Sequence, residues 1–211
     1  AYATSRCCSL ATIEPDRSLR IGKQIVRYLI NTSEHGLFYS STPSLKTYGR
    51  KFQRAYPDVV PFEELYRINS IVSFTDASYA PAATNEVSVG GFMLMVAGGV
   101  VAWRASKVAL ACVSTAEAEL QAAQDGCVGT LSVRTLIAEM RMANFNVWLA
   151  VDNKPCVQLL VSTSQTSWRT RHLRIKADTI VQAKNEGLIT LRHVPGEVEI
   201  ADMLTKAVPA G

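Results

Sequence analysis

Alternating apolar and polar residues in the C-terminal two thirds of the chain predict several β-strands. The segment "IVSFTDASY" (71–79) places Val72 and Phe74 on one side of a strand. Segment 87–105 is almost entirely apolar, and Gly98-Gly99 divides it into two strands joined by a turn. Further strands are predicted at 146–151 and 188–194 and, in the N-terminal third, a short one at 36–40.

Apolar residues at helical spacing predict helices around these strands. Residues 41–69 contain three prolines and no sustained period, which predicts a connector, with a short helix at "FEELYRI" as an option. Three strands followed by alternating helices and strands predict an α/β fold with a mixed sheet and helices on its faces. The helices are predicted at 17–31, 114–126 (ending there or continuing through 130–142), 154–161, 170–186 and 197–206.

Composition and charge restrict the class of protein. Of 211 residues, 48% are hydrophobic and 19% charged, which is typical of a globular protein and excludes disorder throughout. The net charge of +4 comes from residues 1–69, a weak indication of a polyanionic partner. The five cysteines show no metal-binding spacing, which predicts a reduced intracellular protein. The first residues do not have the pattern of a signal peptide, and none is expected. The apolar segment 87–103 is too short, and too often interrupted by glycine pairs, for a membrane helix.

Three aspartates are candidates for chemistry. Asp76 and Asp152 each end an apolar strand, where an acid is costly to bury without a partner. Capping of a turn or helix is the more common role of either residue taken alone. Asp202 lies in a predicted helix, where a solvated helix face is the simpler explanation.

Together with one glutamate, these aspartates suggest a metal site. Four carboxylates in one pocket repel each other unless cations neutralise them, and oxygen ligands of this kind favour Mg²⁺ or Mn²⁺. Two such ions are a known device for phosphodiester cleavage. The glutamate comes from "CVSTAEAELQAA" (112–123), where Glu117 and Glu119 point in nearly opposite directions on a helix.

Six pieces of the chain stand in an order and at a spacing that match a known family: "FTDASYA", "VAWRASK", "VSTAEAELQAA", "VDNKPCV", "RTRHLRI" and "HVPGEVEIADMLTK". In these pieces the chain resembles the ribonuclease H domain of copia-type LTR retrotransposon polyproteins. Residues 25–40 resemble the segment that joins reverse transcriptase to ribonuclease H, and no Tyr-x-Asp-Asp polymerase motif is present. The resemblance divides the chain into a reverse-transcriptase tail (1–69) and a ribonuclease H domain (70–211).

The resemblance implies a five-stranded mixed sheet flanked by helices and two-metal hydrolysis of the RNA strand of RNA–DNA hybrids. The implied cofactor is Mg²⁺, as two ions, with Mn²⁺ as a substitute. The implied partners are the RNA–DNA hybrid and the reverse transcriptase of the same polyprotein, and no membrane is implied. The implied location is the cytoplasm, in virus-like particles, or the nucleus. The family places its catalytic glutamate directly before a Leu-x-Ala run, which here selects Glu119. The catalytic and metal-binding residues implied are Asp76, Glu119, Asp152 and Asp202.

Glu117 has a separate role in this interpretation. Ser114 is a good helix N-cap and Glu117 follows it by three residues, the spacing of a capping box. Glu117 is therefore predicted to be structural, and Glu119 to face the aspartates.

Substrate contacts are expected from basic and helix-start residues. Free N–H groups at a helix start attract anions, which makes Ser114 and Thr115 candidates for phosphate contacts. Asn153 is predicted either to orient a ligand beside Asp152 or to cap the next helix. Trp168 is predicted to pack. The basic candidates are Arg169, Arg171, His172 and Arg174 in "SWRTRHLRIKAD" (167–178). A solvated helix face, with Arg174 and Asp178 as an i,i+4 pair, is the alternative, as is a capping or packing role for His172.

The loop before Asp202 departs from the cellular enzymes, many of which carry a histidine there. His193 lies on the strand side of this loop and is predicted to be structural, while Glu197 lies nearer the loop tip. Because the loop histidine is missing, turnover slower than that of the cellular enzymes is a hypothesis. A non-catalytic module of the same fold remains an alternative. An integrase is disfavoured because its acids follow the order Asp, Asp, Glu.

Overall fold

The computed structural model describes residues 1–37, 39, 69–80, 88–108, 112, 114–141, 144–161 and 171–207, with the backbone alone at 171, 172, 175 and 176. The strands are β1 (Ser70–Ser78), β2 (Val89–Val96), β3 (Gly99–Lys107), β4 (Asn146–Val151) and β5 (Thr190–His193). The helices are α1 (Tyr2–Leu10), α2 (Pro15–Asn31), α3 (Thr115–Glu139), α4 (Lys154–Val161), α5 (Arg171–Asn185) and α6 (Asp202–Thr205), with a 3-10 turn at Gly196–Val198.

The five strands form one mixed sheet in the order β3-β2-β1-β4-β5. β1 pairs antiparallel with β2, which pairs antiparallel with β3, whereas β1–β4 and β4–β5 are parallel. The predicted fold class, a five-stranded mixed sheet flanked by helices, is confirmed.

Each face of the sheet has its own apolar core. On one face Ile71 and Leu149 pack with Leu120 of α3 and Ile180 of α5. On the other face, Phe74 and its neighbours pack with α6 and the segment before it; that cluster comprises Val72, Phe74, Met93, Met95, Trp148, Ala150, Val194, Val198, Ala201 and Leu204. Because side chains alternate along a strand, Asp76 and Asp152 continue the positions of this second face.

Helix α3 lies unusually close to β1. A Cβ added at Gly126 would be 2.5 Å from Thr75 Cγ2 and 2.9 Å from Ser73 Oγ, distances that only glycine avoids. The prediction left open whether the helix ended at 126; the structure has a single helix from Thr115 to Glu139.

Three sequence predictions need correction, and helix α1 was not predicted. No strand forms at the described positions 36, 37 and 39. Tyr39 instead contacts β3 through its side chain, whose hydroxyl donates to the Val100 carbonyl at 2.6 Å.

The β2–β3 turn lies at Ala97-Gly98, both with positive φ, one residue earlier than predicted. The closing helix is divided because the Glu199 carboxylate accepts the Ala201 N–H at 3.0 Å while the Glu199 backbone is extended. The short helix considered within 62–68 lies outside the described residues.

Candidate active site

Asp76 is the most deeply buried acid of the site, with 1% of its surface exposed near the end of β1. Its two oxygens have different partners. The Thr205 hydroxyl donates to Oδ2, and the Lys206 ammonium lies 3.2 Å from Oδ1. Burial raises the pKa of Asp76 in spite of these contacts.

A glycine brings α6 to Asp76. Gly91 is the β2 partner of Asp76 in the β1–β2 ladder. A Cβ there would lie 2.9 Å from Leu204 Cβ and 3.2 Å from Thr205 Cγ2. The missing side chain therefore allows α6 to pack directly over β2, with Thr205 and Lys206 at the carboxylate.

Glu119 reaches the site from the first turns of α3. Ser114 is the N-cap, and its hydroxyl accepts the Glu117 N–H at 3.2 Å, as predicted. Glu119 is 6% exposed, and its Oε2 has no hydrogen-bond partner among the described residues. Burial, together with the charges of Asp76 and Asp152, raises its pKa to about 9. Metal-free Glu119 is therefore protonated at neutral pH.

Asp152 directly follows β4, beside the end of β1. The next residue, Asn153, accepts the Cys156 N–H on Oδ1 at 2.8 Å and thus caps α4, one of its two predicted roles. His193 Nε2 lies 2.9 Å from the Asp152 carbonyl oxygen, which connects β5 to the site. Asp152 Oδ1 is buried without a partner among the described residues, and burial followed by the charge of Asp76 raises the pKa of this carboxyl.

Asp76, Glu119 and Asp152 form the carboxylate group of the site. Each offers one oxygen, and the three oxygens lie within 4.8 Å of one another. Buried acceptors without donors are costly unless a cation completes them. The unpartnered Glu119 Oε2 and Asp152 Oδ1 therefore make this group fit a divalent metal ion.

The fourth predicted acid, Asp202, lies beside this group rather than in it. Its Oδ1 is 2.7 Å from Lys206 Nζ, so the same ammonium bridges Asp76 and Asp202. Burial lowers the pKa of Lys206, but the hydrogen bond to Asp202 and the charge of Asp76 outweigh it and raise that pKa.

Glu199 is a fifth acid that the sequence analysis missed. It is 4% exposed, its Oε1 accepts the Ala201 N–H, and its Oε2 has no partner among the described residues. Burial raises its pKa well above the usual value, and the charges of Asp152 and Asp76 add to this effect. Its position three residues before Asp202, on the same predicted helix face, was the signal available in the sequence.

The predicted nucleic-acid contacts are only partly described. Thr115 is exposed at the start of α3, beside the half-buried Ser114. Arg174 is half-buried on α5. Trp168 and Arg169 lie outside the described residues, as do the side chains of Arg171 and His172. Packing remains the prediction for Trp168. A role in binding nucleic acid remains a prediction for Ser114, Thr115, Asn153, Arg169, Arg171, His172 and Arg174.

Helix α1 borders the site. A cavity of about 560 Å³ separates α1 from the end of β1, and its wall includes Arg6, Ser78, Lys107 and Thr205. The N-terminal residues thus contribute to the surroundings of the carboxylate group. The division of the chain at residue 69 remains a prediction.

Comparisons with known proteins agree with the predicted resemblance. The chain is 25% identical over 141 residues to the Ty1-DR5 and Ty1-H Gag-Pol polyproteins of Saccharomyces cerevisiae, a match that covers 67% of this chain. It spans only about 8% of the length of those polyproteins. No family model matches the chain.

The fold is that of ribonuclease H. LC11-RNase H1, isolated from compost by a metagenomic approach, superposes with a TM-score of 0.50 at 18% sequence identity. The superposition covers 64% of this chain and 92% of that protein. The resemblance to copia-type retrotransposon polyproteins with a ribonuclease H-like fold is thereby confirmed. Within the part of the chain that the structure describes, no helix has the length and apolar character needed to span a bilayer.

Proposed function

We propose that the chain is the ribonuclease H part of a retrotransposon polyprotein and hydrolyses the RNA strand of RNA–DNA hybrids with divalent metal ions. The observation that carries the proposal is the group of Asp76, Glu119 and Asp152, with two buried oxygens that lack partners, on a ribonuclease H-like sheet. The similarity to Ty1 Gag-Pol polyproteins supports the retroelement context.

The proposed cofactor is Mg²⁺, as two ions, with Mn²⁺ as a substitute. Asp76, Glu119, Asp152 and Asp202 would hold the ions, which supply an activated water and stabilise the leaving oxygen when bound. Carboxylate oxygens are the ligands that these hard cations prefer. Glu119 must lose its proton to serve as a ligand, because its pKa is raised to about 9.

The remaining residues of the site orient these acids and the substrate. Thr205 fixes one oxygen of Asp76, and Asn153 fixes the chain after Asp152 by capping α4. We propose that Ser114 and Thr115 contact a backbone phosphate at the start of α3, and that the basic start of α5 contacts the other strand. Base reading is unnecessary, since such hybrids are recognised by shape, 2′-hydroxyls and phosphates.

A cleavage assay on three duplexes tests the proposed function. Labelled RNA–DNA hybrid, duplex DNA and duplex RNA are each incubated with Mg²⁺ and with EDTA. We expect cleavage of the hybrid alone, with Mg²⁺ alone, and loss of this activity in Asp152→Asn. Asp16→Asn, which changes an exposed aspartate in the first turn of α2, is the matched control and should keep full activity. Hybrid that is bound but uncut under Mg²⁺ and Mn²⁺ would favour the alternative, a catalytically silent binding module.

The proposed protein partner is the reverse transcriptase part of the same polyprotein, and the proposed setting is intracellular, in virus-like particles or the nucleus. Helix α2 supports a protein partner because Leu19, Val26, Leu29 and Ile30 are all more than half exposed. Within the described residues, these side chains form the largest set of exposed apolar groups on one helix.

A further inference from the structure

The four predicted acids divide into two cation positions that share Asp76. In the first, Glu119 Oε2 and Asp152 Oδ1 have no partner among the described residues. In the second, between Asp76 and Asp202, the chain supplies its own cation. Lys206 Nζ lies 3.2 Å from Asp76 Oδ1 and 2.7 Å from Asp202 Oδ1.

Both oxygens of Asp76 have a donor in this structure: Thr205 donates to Oδ2 and Lys206 contacts Oδ1. The Lys206 ammonium also contacts Asp202 Oδ1, so a metal ion that bridges the two Oδ1 atoms would have to take the place of the ammonium. Lys206 is the donor free to leave, because its side chain is 48% exposed and carries its charge on a flexible four-carbon stem. Thr205, in contrast, is 1% exposed and held in the last turn of α6.

We propose that Lys206 is the resident cation of the Asp76–Asp202 position and competes with the second divalent ion. The free protein then binds one divalent ion, in the group of Asp76, Glu119 and Asp152, and takes up a second only when the ammonium leaves. As part of the same chain, the ammonium is present at a high effective concentration and opposes the second ion at every metal concentration. The inference rests on the metal site in the proposed function.

Counting bound ions on the full chain without nucleic acid tests the competition. Mn²⁺ is titrated and followed by calorimetry and by the electron paramagnetic resonance of free Mn²⁺. We expect one tight site in the wild type and two in Lys206→Gln, with the second Kd at least about tenfold lower than in the wild type. Lys206→Arg keeps a cation and should behave as the wild type. Lys154→Gln removes an exposed charge two residues after Asp152 and is the control for a general electrostatic effect.

The possible failures are distinguishable. The same number of ions and the same affinities in wild type and Lys206→Gln would overturn the role of Lys206 and leave the metal site intact. Weaker binding in Lys206→Gln would also overturn it, because the lysine would then support the site. No Mn²⁺ bound to any variant would overturn the metal site itself. Should Lys206→Gln fail to fold, the ammonium ¹⁵N resonance of Lys206 in the wild type gives the same information. It should reach the position of a solvated ammonium only in the second step of a Mg²⁺ titration, and release of the ammonium in the first step would contradict the proposal.

Discussion

At the carboxylate site, buried positions are occupied by acids, whereas on α2 exposed positions are occupied by large apolar side chains. Glu119 and Glu199 are both less than 10% exposed and each keeps one oxygen without a partner among the described residues. Ile30 of α2 is 67% exposed. The first arrangement favours the binding of cations, and the second favours contact with another apolar surface. Substitutions at the carboxylate site should alter activity and the pH dependence of stability. Substitutions on α2 should alter association with another protein.

The largest effect is expected when the two glutamates of α3 are compared. Glu119→Gln should lower metal-dependent hybrid cleavage by at least about 100-fold, because even changes around metal ligands cost about 10–100-fold. Glu117→Gln should retain activity, since the variant keeps the backbone N–H that donates to the Ser114 cap. Steady-state rates of hybrid cleavage by the two variants test this difference. Loss of activity in Glu117→Gln alone would show that the register is wrong by two residues.

Alanine at two glycines should produce opposite changes in stability. Gly126→Ala forces a Cβ to 2.5 Å from Thr75 Cγ2, and overpacking of this kind costs about 1–3 kcal/mol of unfolding free energy. Gly22→Ala in α2 places a Cβ at an ordinary 3.7 Å from Cys7 Sγ, and the better helix propensity should stabilise α2 by up to about 1 kcal/mol. Urea unfolding measures both. Equal effects would contradict the close packing of α3 on β1.

The metal-free protein should lose stability as the pH rises. The pKa of Glu119 is about 9 in the folded chain against an ordinary 4.5, so the folded state binds more protons than the unfolded state between these values. The unfolding free energy therefore falls with rising pH in this window, by at most about 1.4 kcal/mol per pH unit from this residue. Urea unfolding in EDTA from pH 5 to pH 9 should show this slope, and Glu119→Gln should flatten it. An unchanged slope in that variant would assign the effect to other acids.

The smallest effect on folding is expected on α2. Ile30→Gln changes an exposed side chain and should alter the unfolding free energy by no more than about 0.5 kcal/mol. It should nevertheless weaken association with the polymerase part of the polyprotein, measured by co-purification of separately expressed fragments. Arg134→Gln, on the second half of α3, is the control. Unchanged association would contradict the proposed role of α2.

The sequence predicted those parts of the site that depend on local pattern. Asp76 and Asp152 stand out because an apolar strand ends at each, and Ser114 fixes the start of α3 and hence the direction of Glu119. The contacts of Lys206 were not predictable, because they depend on Gly91 allowing α6 to cross the sheet. Helix α1 was missed because its residues carry little apolar periodicity; Leu10 is its buried residue.

The hydrogen bond from Thr205 to Asp76 joins residues 129 positions apart in the chain. During translation at about 5–20 residues per second, Thr205 is synthesised roughly 6–26 s after Asp76. Until then β1, β2 and α3 can fold, but Asp76 lacks both its hydroxyl donor and its ammonium. A nascent chain would therefore carry Asp76, Glu119 and Asp152 before the two residues that contact Asp76, Thr205 and Lys206, have been added.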